Sequence, residues 1–196
     1  GTGVAGGEIV YLEGARNPGA QLSIAFNAGA RYVRLAEELY ITGRDNTQQV
    51  SPQILSTSRN QIFGPSVGVR VEWEHEWLKI GAETQFTAGF NRHEDLVRTA
   101  DLFQFNRTPV QSTDAHTEFA PVHESSVYLQ VKLTHRFKLR VGYDLLSLYQ
   151  LSPPQNSIVW DDSAVVDGPV LIRADSTNLE SFHARGLTIS GEWSLY

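Results

Sequence analysis

The chain has 196 residues, 41% of them hydrophobic, and its 16 basic and 22 acidic side chains give a formal charge of −6. That length suits one ordinary domain or one small barrel, and an acidic balance without a basic stripe sets nucleic acid aside as a partner. The absence of cysteine excludes a disulfide framework and thiolate metal sites, and no run of about 18 apolar residues is present to form a membrane helix.

Taken in order, residues 1–7 are small, and residues 8–13 hold the apolar run Ile9, Val10, Tyr11 and Leu12, which predicts a short strand. Asn17, Pro18 and Gly19 mark a turn within 14–19. A long strand starts near residue 21. Leu22, Ile24, Phe26, Ala28, Ala30 and Tyr32 share one face; Ser23, Asn27, Gly29 and Arg31 share the other. The phase is lost over 33–39, which fits a bulge or a strand leaving the membrane, or a short helix because Leu35 and Leu39 are four apart. Residues 42–58 read as a polar loop.

Residues 61–90 carry the clearest pattern, two strands about a turn at His75-Glu76. On the first arm Phe63, Val67, Val69, Val71 and Trp73 oppose Gly64, Ser66, Gly68, Arg70, Glu72 and Glu74. On the second, Leu78, Ile80, Ala82, Phe86, Ala88 and Phe90 oppose Lys79, Gly81, Glu83, Gln85 and Thr87. Successive side chains of a strand point to opposite faces, so a period of two is a strand signal.

Residues 91–124 read as a second loop. The strand at 125–137 places Val127, Leu129, Val131 and Leu133 against Tyr128, Gln130, Lys132, Thr134 and Arg136. After a turn at 136–138, Leu139, Val141, Tyr143 and Leu145 alternate with Arg140, Gly142 and Asp144. Residues 151–183 form a third long connection. In the last strand, 185–196, Leu187, Ile189, Gly191, Trp193 and Leu195 oppose Thr188, Ser190, Glu192 and Ser194.

Strands of about ten residues, apolar on one face and polar on the other, are what span a bilayer in a closed barrel. The connections alternate strictly: 14–19, 75–76 and 136–138 are short, while those after Tyr32, Phe90 and Tyr149 are long. Outer-membrane barrels have this arrangement, with short turns inside and long loops outside. The expected fold is therefore an all-β, transmembrane, antiparallel up-and-down β-barrel, with lipid as its partner. A soluble β-sandwich with long recognition loops produces the same alternation and is the alternative.

Lipid-facing residues are expected to be Val67, Val69, Val71, Leu78, Ile80, Val127, Leu129, Val131, Leu139, Val141, Ile189 and Leu195. Aromatic belts are expected from Trp73, Phe137 and Trp193 at one level and Phe63, Phe90, Tyr143 and Tyr149 at the other. Phe63 and Trp73 lie ten residues apart, roughly 25 Å of height at a tilt near 40°. The lumen is expected to gather Arg31, Arg70, Glu72, Glu83, Lys132, Arg140, Asp144 and Glu192, as paired charges in a narrow barrel or as the lining of a wider channel.

Seven strands are countable, whereas a single-chain bacterial barrel closes with an even number, eight or more. The chain is thus expected to be the C-terminal part of a longer protein, its missing edge supplied by an N-terminal segment or by another envelope protein.

Two segments carry a resemblance. Residues 28–35, Ala-Gly-Ala-Arg-Tyr-Val-Arg-Leu, running into Glu37-Glu38-Leu39, and residues 141–148, Val-Gly-Tyr-Asp-Leu-Leu-Ser-Leu, resemble the beta-barrel porin family seven proteins of planctomycete outer membranes. The aromatic-ended C-terminus is similar too, although Tyr196 is out of phase with Trp193 and Leu195. The resemblance implies an outer-membrane barrel, porin-like or structural, with an N-terminal part beyond these residues.

No cofactor or metal is expected. His93, His116 and His123 fall in one predicted loop without ligand spacing and read as solvated. Asp161-Asp162 and Asp167-Gly168 lack the acidic pattern of a calcium loop. Asn106-Arg107-Thr108 has the form of a glycosylation acceptor. Ser147 and His183 are present without a G-x-S-x-G elbow, so no enzyme is expected.

Overall fold

The computed structural model describes residues 1–15, 21–43, 53–100, 111–161 and 171–193. Their elements are β1 (Thr2–Ala15), β2 (Leu22–Thr42), β3 (Gln53–His75), β4 (Leu78–Thr87), β5 (Phe90–Ala100), β6 (Gln111–Phe119), β7 (Val122–Lys132), β8 (Phe137–Leu151), β9 (Ile158–Asp161), β10 (Leu171–Ala174) and β11 (Glu180–Trp193). The fold is an all-β antiparallel sheet curled into a half-barrel, in the order β1-β2-β3-β4-β7-β8-β11.

Three hairpins build the wall. All 21 residues of β2 pair with β3, from Leu22 opposite Trp73 to Thr42 opposite Gln53, in one unbroken register. β4 and β5 then behave as one strand. β4 pairs with the lower part of β3 as far as Ser66–Thr87, and β5 continues the same register from Phe63–Phe90. β6 and β7 mirror them on the other side, from Arg98–Gln111 down to Leu78–Val131.

The interruption at residues 88–89 and 120–121 has local causes. Pro65 and Pro121 lack an amide hydrogen. A Cβ on Gly89 would collide with the Ile62 side chain and would stand 2.7 Å from the Ala120 carbonyl oxygen. The ladder is bridged there by Ala88 N–H to Pro65 O at 3.0 Å and Ala120 N–H to Gly89 O at 2.8 Å.

Three expectations are corrected. Of the readings of 33–39, the helix and the bulge fail and the continuing strand holds; Val33 and Leu35 continue the alternation and are buried on the inner side. Residues 53–58 and 91–100, with 111–119, are strands rather than loop, because their buried face is polar and leaves no hydrophobic period to read. The turns shift by a residue or more. Glu76 and Trp77 close the β3–β4 hairpin, Glu76 in the left-handed region at φ 38°. Residues 133–136 close β7–β8, where the Thr134 hydroxyl accepts the N–H groups of Arg136 and Phe137 at 3.2 and 3.0 Å. The predicted turn at residues 16–19 lies outside the described residues.

Small residues let large inner side chains fold flat against the wall. Gly81 stands directly opposite Tyr128 and its missing side chain makes room for that ring. The Arg140 guanidinium lies 3.6 Å from the centroid of the same ring. Gly81→Val is expected to cost about 1–3 kcal/mol through overpacking. Gly7→Val, where nothing lies within 4 Å, is expected to stay within about 0.5 kcal/mol. Denaturant unfolding of the two variants checks the contrast.

Candidate functional site

The inner face of the half-barrel is lined with paired charges. Arg31 binds Glu124, and Arg70 binds Glu83 at 2.9 Å. Lys79 lies between Glu72 at 3.2 Å and Glu74 at 3.7 Å, and Lys132 reaches Glu74 at 2.7 Å. Lys138 binds Glu192 at 2.9 Å. Polar groups extend the set. The Tyr128 hydroxyl donates to Glu72, the Thr188 hydroxyl to Asp144, and the Asn27 amide to Glu83 at 3.3 Å. Glu8 accepts from Ser66 at 3.2 Å and from Gln85.

Arg31, Arg70, Glu72, Glu83, Lys132, Arg140, Asp144 and Glu192 lie on this one face; seven of them have charged or hydrogen-bonding partners there, and Arg140 lies over the Tyr128 ring. The sequence reading missed Glu8, Glu124 and Lys138. Glu124 was assigned to a loop, although its phase with Ser126 and Tyr128 marks it as inward.

Several pairs cross the curl rather than follow it. Neighbouring strands are about 4.8 Å apart, yet Arg31 on β2 meets Glu124 on β7, three strand intervals away. Above these charges the interior turns apolar. Val33 and Leu35 of β2, Ile62 of β3, Ala120, Val122 of β7, and Leu148 and Leu151 of β8 form one buried cluster, with Phe182 of β11 packed against it.

A strap, residues 150–157, covers the mouth. Gln150, left-handed at φ 57°, turns the chain off the end of β8. Asn60 anchors the strap: its amide donates to the Ser152 carbonyl at 3.0 Å, and its oxygen accepts the Ser152 N–H at 3.0 Å and the Asn91 amide at 2.8 Å. Ser56 donates to the Pro154 carbonyl at 2.8 Å, and Ser58 donates to the Ser152 carbonyl. The β9–β10 hairpin extends the cover, packing Ile172 and Ala174 onto Ile54 and Val97. Ser176 donates through its hydroxyl to Asp114 at 2.7 Å.

Two titratable groups are sealed beneath this cover. Asp95 accepts the Ser152 hydroxyl at 2.6 Å. Burial outweighs that bond and holds its carboxyl above the usual carboxylate range. His93 is 0% exposed, and neither ring nitrogen has a hydrogen-bond partner among the described residues. Burial lowers its affinity for a proton, more strongly than nearby Asp95 and Glu118 raise it. The expectation of solvated loop histidines is thus corrected for His93, which sits in β5. His116 is exposed opposite it in β6, and His123 is half-buried in β7.

The outer face bears an apolar band. Val67 is 59% exposed while its neighbours in sequence, Ser66 at 2% and Gly68, turn inward. Cross-strand rows run through it, one of them Leu22–Trp73–Ile80–Leu129–Val141–Ile189. Leu78, Val131, Leu139 and Val69 lie on the same side, half-buried by neighbours. At one end Tyr32, Phe63, Phe90 and Phe119 stand directly beside one another, all exposed. At the other, Trp73 stacks on His75, and Phe137 packs on Trp193 with ring centroids 5.7 and 5.9 Å apart.

The band slants. The partner of the Trp73 row on β8 is Val141, but the aromatic rim there is Phe137, four residues lower. Four residues rise about 13 Å while three strand intervals span about 14 Å, a tilt of roughly 40°. Tyr143, expected at the opposite rim, lies six residues from Phe137 and so falls within the band; Tyr149 lies beyond it. Leu195, Tyr196, Asn106, Asp162 and Asp167 are outside the described residues.

The described residues hold little catalytic machinery. Ser147 and His183 are 3.0 Å apart, and Tyr149 meets the His183 ring edge-on. No described hydrogen bond ties His183 to a carboxylate. No described group of three His, Asp or Glu side chains is placed to hold a metal ion. Comparisons with protein-family models, curated proteins and solved structures return no match.

Asn60→Ala is expected to leave the Ser152 N–H and one Asn91 amide hydrogen without acceptors, while the Ser152 carbonyl keeps Ser58, and to cost about 1–3 kcal/mol for each bare donor. The loss should appear first as exchange of amides in the strap. Acid should act in the same place. Unfolded His93 takes a proton near its ordinary value of 6.5, which the folded site resists, so stability falls as pH drops through 6.5. Asp95 has the opposite sign, its cost being relieved only as pH falls through its raised value towards 3.8. The protection of the strap amides, measured as the ratio of intrinsic to observed exchange rate, should therefore fall between about pH 7.5 and 5.5, and His93→Asn should flatten that dependence.

Proposed function

We propose that the chain forms an outer-membrane β-barrel whose interior is closed, serving as a structural envelope protein rather than a free diffusion channel. The inverted placement of its side chains carries this reading. In water, the apolar face of a sheet is the one a fold covers; here Val67, Val127, Leu187 and Ile189 are exposed and the charges line the interior. A β-sandwich would bury those residues against a second sheet, whereas the described β9–β10 pair packs on the inner side of the upper wall.

Hydrocarbon receives the outer band, and the aromatic rims meet the headgroups. The short connections fall at the Trp73 and Phe137 rim, on the periplasmic side; the long hairpins and the strap rise outside. Paired charges, the apolar cluster and the strap succeed one another along the interior among the described residues, which favours a closed interior over an open channel. The resemblance of residues 28–39 and 141–148 to the planctomycete porin family points to the same envelope.

Val69→Arg, within the band, is expected to cost about 2–4 kcal/mol when folded in lipid vesicles. Unchanged stability would overturn the lipid face. The parent protein should partition into detergent and shift its gel mobility on boiling. In a planar bilayer it should give no steady conductance; a stable open channel would convert the reading to a porin.

A further inference from the structure

The upper edge of the outer band changes chemistry between its two halves. On β2, β3, β5 and β6 it is aromatic, at Tyr32, Phe63, Phe90 and Phe119. On β8 and β11 the same ten-residue height, counted from Phe137 and Trp193, ends at Ser147 and His183. The outward rows that meet there grade from polar to apolar. His123, Ser147 and His183 stand directly opposite one another on β7, β8 and β11. His183 Nδ1 lies 3.0 Å from the Ser147 hydroxyl, and His123 Nε2 lies 3.1 and 3.2 Å from the hydroxyls of Thr84 and Ser125. One row lower come Thr84, Ser125, Leu145 and Arg185. The next row, Ala82, Val127, Tyr143 and Leu187, is the upper end of an apolar groove of about 580 Å³ on the outer face.

Arg185 is the misfit on this face. Among the described outward side chains of 22–32, 63–73, 78–86, 123–131, 137–147 and 183–193, it alone carries a formal charge. It is exposed and has no ion pair or hydrogen bond among the described residues. A cation on the lipid face is costly at mid-membrane and less so towards the interface. A bound anion at that level removes the cost. Tyr143, one row below, is also exposed, and its hydroxyl has no partner among the described residues.

We propose that this corner of the outer face binds one anionic membrane lipid, its headgroup phosphate on Arg185 and His183 and an acyl chain in the groove below. The proposal rests on the membrane reading above. The guanidinium presents a planar fork of donors that matches phosphate oxygens two at a time. Ser147 positions the second donor: its hydroxyl donates to His183 Nδ1, which leaves the proton on Nε2 for the headgroup. No acid of the wall competes, because Glu124 and Asp144 turn inward to Arg31 and Thr188. The groove starts one row below the cation, and Ala82, a short side chain between Val71 and Val127, lines it. Charge and apolar lining therefore follow each other in the order of a lipid's own parts. A second copy packed on this corner about a two-fold axis would set Arg185 against Arg185, so like charges disfavour it.

The test titrates the protein in detergent with phosphatidylglycerol and, separately, with phosphatidylcholine, and counts retained lipid by native mass spectrometry. One phosphatidylglycerol is expected per chain, held about tenfold more tightly than phosphatidylcholine. Arg185→Gln should weaken phosphatidylglycerol about tenfold, and Arg185→Lys should restore part of that loss. Ala82→Leu fills the groove, leaves the cation in place and should weaken both lipids. Equal retention of the two lipids, or retention unchanged in Arg185→Gln or in Ala82→Leu, overturns the site. Displacement of phosphatidylglycerol by an equal concentration of inorganic phosphate overturns it in favour of a free anion, and a second copy held in place of lipid overturns it as well. Gel mobility before boiling shows which variants have folded; if Arg185→Gln has not, Arg185→Lys and Ala82→Leu decide. A parent that folds in detergent and retains no lipid defeats this site alone, whereas a parent that stays in buffer without detergent defeats the membrane reading with it.

Discussion

Alternate residues of each strand on the main path meet opposite surroundings, and the rest of the molecule follows from which surroundings take which set. The charged set converges inside the curl. Arg31 with Glu124 and Lys132 with Glu74 join strands that are not neighbours. Such pairs gain little on an open surface, and their value here lies in consistency. Arg70–Glu83 and Lys138–Glu192 stand directly opposite on neighbouring strands, whereas the pairs that span several strands form only if the sheet curls, and glycines such as Gly81 yield space inside it to rings such as Tyr128. The apolar set is thereby turned outward as a slanted band.

The same alternation changes character with height. In the lower wall the interior is ionic. Around Val33, Leu35, Ile62 and Leu148 it becomes apolar, and above that it becomes a layer of Ser, Asn, His and Asp side chains under the strap. The upper layer is the most conditional part of the structure. Its stability depends on complete hydrogen bonding, which Asn60 supplies with every polar atom of its side chain. His93 is the exception, and it makes the cover the region most responsive to acid.

The lower wall was legible in the sequence because one face is polar and the other apolar over ten residues, as in 63–73 and 78–87. The eight inward residues could be named from that phase alone. The upper wall was not legible. There the hidden face carries Ser56, Ser58, Asn91, His93 and Asp95, so burial and hydropathy no longer run together, and strands read as polar loop. Phase loss at 33–39 had a related cause: the inner face became apolar as well, and the period vanished although the backbone ran straight. The strap and its partners lie 57 to 98 residues apart in sequence, as Ser152 does from Asp95 and Pro154 from Ser56, and nothing local announces such a contact.

The claim on which all of this depends is that lipid tails cover the outer band. Spin labels placed singly along β3, β7 and β11 in reconstituted vesicles measure it most directly, by collision with oxygen, which concentrates in hydrocarbon, and with a water-soluble nickel chelate. The account predicts a period of two, with labels at Val67, Val127 and Ile189 open to oxygen and closed to nickel, and labels at Ser66, Ser126 and Ser190 closed to oxygen. Nickel reaching Val67, Val127 and Ile189 as readily as an exposed loop would contradict it.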